Sequence, residues 1–236
     1  MARKPSRSKA AKRGRSRPAA ISGSDRERIT QAFMQLLAEK PIERIGLAEI
    51  AKRAKVSLAN LRGEFDSTLA ILAAQMKEID RQVLESADSD TAEDTPKDRL
   101  FDVLMRRLET LAPDKAAVRS LMRSAICNPG LALALNRLGV RSMRWMLTAA
   151  GINVSGPKGA LRAQGLALMF AQVLRVWVKD EDPGLAHTMA ELDRALTRGQ
   201  SWSRLLDDLC ALTPPRCPPR RRRRSRRDEA DEAAAA

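Results

Sequence analysis

The 236-residue chain has no tyrosine, a single histidine and only three cysteines. His187 stands far from any second histidine or cysteine, and Cys127, Cys210 and Cys217 show neither metal-ligand spacing nor a pairing pattern. Neither a structural metal nor a disulfide framework is expected, and scattered thiols of this kind suit a reducing cytosol. One histidine also leaves little for proton transfer near neutral pH. No nucleophile beside a base, no paired carboxylates in an apolar setting and no phosphate-binding loop can be assembled. The expectation is a protein that is not an enzyme and uses no cofactor.

Long apolar runs are missing too. The most apolar stretch, residues 165 to 178, is interrupted by Gln172 and Arg175 and is too short to cross a bilayer. The charged start is followed by no apolar segment of the kind a secretory signal needs. The expectation is a soluble, cytoplasmic protein with no membrane span. Strict alternation of apolar and polar residues is absent as well, which leaves an all-α fold.

Positive charge is plentiful, at +14 overall, but it is concentrated at the ends. Residues 1 to 24 carry eight Lys or Arg and no acid, and residues 214 to 236 carry eight Arg against four acids. Of the 43 basic residues this leaves 27 against 25 acids between 25 and 213, a nearly neutral body. Residues 1–23 therefore read as a disordered basic arm and 213–236 as a disordered Arg-rich tail, both short of the apolar residues needed to fold and both able to attract phosphates in a salt-dependent way. An arm preceding a DNA-binding domain is well placed to reach the minor groove.

The body is patterned as helices. Ser24-Asp25-Arg26-Glu27 fits a capping box, Ile29, Phe33, Leu36 and Leu37 form the stripe that follows, and Pro41 ends the helix. Ile45, Leu47, Ile50, Ala51, Ala54, Val56, Leu61 and Phe65 then fall where two short helices crossing at a tight turn bury them, with Val56 sealing the turn and Ser57 capping the second helix. Positions 58, 59, 60, 62 and 64 face outward, which is the geometry of a helix-turn-helix whose second helix enters the major groove. A fourth helix runs to about Ser86 through Ile71, Leu72, Met76, Ile79 and Val83. After the acidic link ADSDTAEDTP come helices opened at Thr95-Pro96 and at Pro113, a break at Asn128-Pro129-Gly130, and two further segments through Leu131 and Leu147. Residues 160 to 178 are apolar on nearly every side, the mark of a helix buried all round. A helix from about 184 to 198 and a last short helix with Trp202, Leu205, Leu206 and Leu209 complete the chain.

Residues 24 to 80 resemble the TetR family of bacterial one-component regulators. The family pattern places an aromatic or aliphatic pair in the first helix, Leu-x-x-Ile-Ala in the second, Ala-Gly-Val-Ser at the turn, and Leu-Tyr-x-His-Phe closing the recognition helix. This chain keeps Phe33, Leu47, Ile50, Ala51, Ala54, Val56, Ser57, Leu61 and Phe65, but Lys55 replaces the turn glycine, Arg62 the tyrosine and Glu64 the histidine, and the lysine common at the start of the fourth helix is absent near Thr68. Gly63 adds a mid-helix cost of about 1 kcal/mol. The resemblance implies a helix-turn-helix DNA-binding domain at 24–66 and a helical ligand-binding and dimerisation domain at 67–212.

It also implies a homodimer pairing through residues 160–212, double-stranded DNA as partner, a bacterial nucleoid-associated location, and repression relieved by a small molecule. The DNA-facing candidates are Lys55, Ser57, Leu58, Ala59, Asn60, Arg62 and Thr68. Asn60 suits adenine, and Arg62 suits a phosphate or a guanine edge. Candidate ligand residues are Met105, Leu121, Met122, Met146, Met169, Phe170, Val173 and Trp177, which as a set imply an apolar effector of the fatty acyl, isoprenoid or aromatic kind. Arg123 and Arg175 are candidates for an acidic head group. The same methionines and leucines read equally well as plain core.

A second resemblance covers residues 176 to 196, where Val176, Trp177, Asp180, Asp182, Thr188, Met189, Leu192, Asp193 and Leu196 match the C-terminal part of the ubiquinone-biosynthesis lipid-binding protein, a TetR-like fold that binds lipid and a partner enzyme. It keeps open the alternative of a lipid-binding or partner-binding accessory protein that does not read an operator, to which Leu58, Gly63 and Glu64 are suited. A nucleoid-type binder acting through its arms alone is a third reading.

Overall fold

The computed structural model describes residues 24–86 and 95–211, with side chains as far as residue 199. The basic arm at 1–23, residues 87–94 of the acidic link and residues 212–236, which include the Arg-rich tail at 213–236, lie outside the described residues. The described chain is helical throughout, as the periodicity requires.

The first helix, α1 (Asp25–Glu39), starts at the expected capping box: the Ser24 hydroxyl accepts from the amide of Glu27, and the Glu27 carboxylate accepts from the amide of Ser24. Ile29, Phe33, Leu36 and Leu37 are completely buried, each contributing about 1.5–3 kcal/mol by leaving water. A single 3₁₀ turn (Ile42–Arg44) leads to α2 (Leu47–Ala54) and α3 (Leu58–Glu64), and α4 (Thr68–Glu85) follows, capped by Ser67. One expected core member is misplaced. Leu47, the first residue of α2, is exposed, whereas Ile42 of the 3₁₀ turn, not among the expected members, is buried alongside Ile45.

The apolar core built on α1 does not stop at residue 66. It takes in Ile71 and Leu72 of α4 and continues into Ala117 of α6 (Lys115–Cys127) and Leu131 of α7 (Pro129–Ala149). Between α4 and α6 runs α5 (Pro96–Leu111), opened by Thr95 as cap and Pro96 at its first position. Where two segments were expected after Asn128, there is one uninterrupted helix, α7. The expected break at Asn128-Pro129 ends α6, and it also starts α7: Asn128 Oδ1 accepts from the amide of Leu131.

The next helix is α8 (Gly156–Trp177), joined to α7 by the paired amides of Asn136 and Gln164 at 2.9 and 3.1 Å. It is not buried all round. Leu161 and Leu168 are 51% and 55% exposed, and with Gly165, Gln172 and Arg175 they form one solvent-facing stripe. The turn after α8 is tied down by Asp180, whose Oδ2 accepts from the amide and the hydroxyl of Thr188 at 2.9 and 2.6 Å. The last helix, α9 (Ala186–Ala211), is continuous where two were expected. Contacts group the residues up to Ala195 into one unit; the remaining part of α9, residues 196–211, belongs to a second.

Candidate nucleic-acid interface

The turn between α2 and α3 is built without glycine. Lys55 takes the left-handed conformation at φ 54°, and its amide reaches back to the carbonyls of Ala51 and Lys52 while that of Val56 bonds Ala51 O at 3.0 Å. Ser57 then caps α3, its hydroxyl accepting from the amide of Asn60 at 3.0 Å. Leu61 and Phe65 anchor α3 on the core, and Leu58, Ala59, Asn60, Arg62 and Glu64 face solvent. Lys55 and Ser57 are exposed beside them, and Thr68 is half-buried at the first position of α4. The expected outward set therefore lies on one surface. Leu58, 55% exposed, is its apolar member.

The polar members of that surface are not free. Asn60 Nδ2 donates to Asp25 Oδ2 at 2.9 Å, Glu64 pairs with Arg26 at 3.4 Å, and Arg62 is paired with Asp66 one turn later. The Arg26 guanidinium also lies 4.6 Å from the centre of the Phe65 ring. Asp25 in turn holds Arg28, and this ion pair, followed by the Asn60 hydrogen bond, keeps its carboxyl below the usual aspartate range. The first turn of α1 is thus part of the surface presented by α3. Sequence reasoning saw Asp25 and Arg26 only as members of a capping box, since a link across 35 or 38 residues leaves no local pattern.

Behind this surface, α2 is fixed to the end of α1 by Arg53, which forks onto Glu39 at 2.9 and 3.0 Å, and by Lys40 on Glu49 at 2.5 Å. The end of α1 is fixed in turn to α6, where Ser120 Oγ donates to Lys40 O at 3.2 Å, and Ser124 Oγ donates to Glu43 Oε2 at 3.0 Å on the 3₁₀ turn.

The eight apolar ligand candidates do not form a single lining. Leu121 packs against the α1 core. Met146, Phe170, Val173 and Trp177 are buried, the last with Lys115 Nζ 5.4 Å from its ring centre, while Met105, Met122 and Met169 are half-buried. Arg123 and Arg175 are exposed. A cleft of about 540 Å³ lies elsewhere, between the end of α1 and α6, with Glu39, Lys40, Glu43, Arg119, Ser120 and Arg123 among its walls. None of the eight lines it.

The most unusual group in the interior is polar. Arg107 of α5 is 3% exposed and paired with Asp80 of α4, whose same oxygen accepts from Ser142 Oγ of α7 at 2.6 Å. The Phe170 ring of α8 is centred 5.8 Å from the guanidinium, and Arg107 Nε has no partner. The sequence carries a sign of this: Arg107 occupies a core position in the series Leu100, Val103, Leu104, Leu108 and Leu111, and Asp80 sits between Ile79 and Val83.

No protein-family model matches the sequence, and no curated protein does. Among solved structures the chain is similar to a TetR transcriptional regulator from Nitrosomonas europaea ATCC 19718, with a TM-score of 0.58 and 23% identity over 75% of this chain and 98% of that one. A TetR transcriptional regulator from Rhodococcus sp. RHA1 gives 0.52 and 24%, over 74% and 95%. A TetR-family regulator from Streptomyces coelicolor gives 0.50 and 12%, over 82% and 99%. The fold of this chain is that of the TetR-type regulators.

Proposed function

We propose that this protein is a homodimeric transcriptional repressor that sets α3 into the DNA major groove and is released from its operator by an apolar small molecule. The observation that carries the reading is α3 itself. It is a short helix capped by Ser57 and anchored by Leu61 and Phe65, and it turns Leu58, Ala59, Asn60, Arg62 and Glu64 outward on one exposed surface. Helices of this placement read base edges in the major groove, and two of them, about 34 Å apart, address a palindrome. The stripe of Leu161 and Leu168 on α8 supports the dimer, since two exposed leucines on one helical face are costly unless a second surface covers them. An effector would meet the buried side chains Met146, Phe170 and Val173, whose apolar character sets its class.

The test is selection of duplex DNA from a random pool by the full-length chain at about physiological salt, where binding through phosphates alone is weakened. An enriched palindrome, lost in Arg62→Ala or Asn60→Ala while weak general binding persists, supports the reading. A folded protein that enriches nothing refutes it. Lipid that co-purifies with such a protein would then favour an accessory carrier.

A further inference from the structure

The carboxamide of an asparagine is nearly symmetrical in shape, so its usefulness in reading a base depends on what decides which end is the oxygen. Here a neighbour decides. Asn60 Nδ2 donates to Asp25 Oδ2 at 2.9 Å. An ionised carboxylate only accepts hydrogen bonds, so the reversed amide would set two oxygens against each other. The amino group is therefore turned toward α1 and Oδ1 away from it. Asp25 is itself held: Arg28 pairs with its other oxygen. Asn60 is also fixed at the backbone by the Ser57 cap.

We propose that Asp25 is a specificity-determining positioning residue, which orients the Asn60 carboxamide so that α3 selects adenine at one position of each half-site. This rests on the operator-reading function proposed above. With one amide hydrogen engaged by Asp25, Asn60 offers the groove one acceptor, Oδ1, and one remaining donor. Adenine presents the complement, a donor at N6 and an acceptor at N7. Guanine presents acceptors at both O6 and N7, so Oδ1 would face an oxygen. Cytosine can satisfy Oδ1 through N4 but leaves the donor unmatched, and thymine offers only an acceptor and a methyl group. The order at that position is adenine first, then cytosine and thymine, each of which matches one of the two groups, with guanine rejected. Arg28 has a second role here, since it offsets the charge that Asp25 would otherwise bring toward the DNA phosphates.

Removing Asp25 frees the amide to turn over, so that its two orientations compete and discrimination falls. A merely structural Asp25, favourable in the first turn of α1, would instead alter stability and weaken all sites alike. The experiment uses full-length wild type, Asp25→Ala, Asp25→Asn and Asn60→Ala. The operator selected by wild type is varied to each base pair in turn, dissociation constants are measured for every variant, and the melting temperature of each protein is recorded. Wild type should prefer adenine by about tenfold, within the range one bidentate base contact supplies.

Asn60→Ala should lose that preference. Asp25→Ala should lose most of it at the same position only, with other positions and the melting temperature nearly unchanged; Asp25→Asn, which can donate as well as accept, should fall between. If Asp25→Ala keeps the preference that Asn60→Ala abolishes, or weakens every site equally, the assignment to Asp25 is wrong and the operator reading stands. If wild type selects no sequence at all, the operator reading itself fails and this inference falls with it.

Discussion

Asp80→Ala should cost about 4 kcal/mol, and more than Arg107→Met, although the two side chains form one ion pair. The pair lies between α4 and α5, with side chains 12% and 3% exposed, so neither charge is effectively hydrated. Removing one partner of a buried pair typically costs about 3–5 kcal/mol, because the other is left uncompensated. The two removals differ in what they leave. Without Asp80, a guanidinium that cannot lose its charge stays in an apolar interior, and Ser142 loses the oxygen it bonds at 2.6 Å. Without Arg107, the already unpartnered Nε goes too, and Asp80 keeps its hydrogen bond from Ser142. Replacing both, as Asp80→Leu with Arg107→Met, should recover most of the loss, since apolar side chains of similar size often substitute for a buried pair without penalty. Urea unfolding followed by far-ultraviolet circular dichroism measures wild type, Asp80→Ala, Asp80→Leu, Arg107→Met and the double variant, at one fixed protein concentration so that any self-association enters equally. Additive losses in the double variant, or a cost below about 1 kcal/mol for Asp80→Ala, would show that the pair is hydrated and the argument mistaken.

Lys55→Gly should stabilise the protein by about 1 kcal/mol, because Lys55 holds a left-handed conformation that penalises any Cβ; an unchanged or lower unfolding midpoint would contradict this. Thr188→Val should make the fold more sensitive to acid. The Asp180 carboxyl is held below its ordinary range first by the Thr188 hydroxyl, then by the amides of Thr188 and Asp182 and by His187. A carboxyl so depressed adds stability that is complete above the ordinary aspartate pKa and is lost as pH falls through the depressed one. Deleting the hydroxyl raises that lower value, so acid unfolding between about pH 5 and pH 2 should begin at a higher pH; identical profiles would remove Thr188 from the account. Leu168→Glu should leave the monomer folded, since the position faces solvent, and abolish self-association in sedimentation if α8 is the dimer face. A dimer that survives it places the interface elsewhere.

Local chemistry was legible in the sequence, and long-range pairing was not. Ser24, Ser57 and Thr95 announced helix starts because a cap involves residues three apart, and the stripe Ile29, Phe33, Leu36 and Leu37 announced its own burial. Helix ends were harder. α7 runs unbroken to Ala149 where two segments were read, and α9 runs through Gly199 where a stop was read, because an isolated glycine costs only about 1 kcal/mol within a helix. Leu47 matched the periodicity and is nevertheless exposed, since periodicity identifies a face but not whether a neighbour extends far enough to cover it. The outward set of α3 was found from spacing alone. Its ties to Asp25 and Arg26 were not, and neither was the Asp80–Arg107–Ser142 group, because each joins helices whose adjacency only the fold creates.

These ties bear on how any signal from the larger helical body could reach α3. The first turn of α1 holds α3 through Asn60 and Glu64, its last turn holds α2 through Arg53 and Glu49, and its interior shares one apolar core with both. Loosening α3 alone would break those polar links and uncover Leu61 and Phe65, whereas turning α1, α2 and α3 together with the part of α6 that shares their core keeps those links and that packing intact. α6 is joined to α1 by the shared apolar core through Ala117 and Leu121 and by two serine hydrogen bonds beside a cleft, so a shift of α6 carries α1 with it. A rigid rotation is the less costly motion, because packed cores move as units more readily than they deform. An effector that shifts α6 should therefore change the spacing between two copies of α3 while leaving amide hydrogen exchange within each α3 unaltered. Accelerated exchange at Leu61 and Phe65 on release from DNA would show instead that the helix melts.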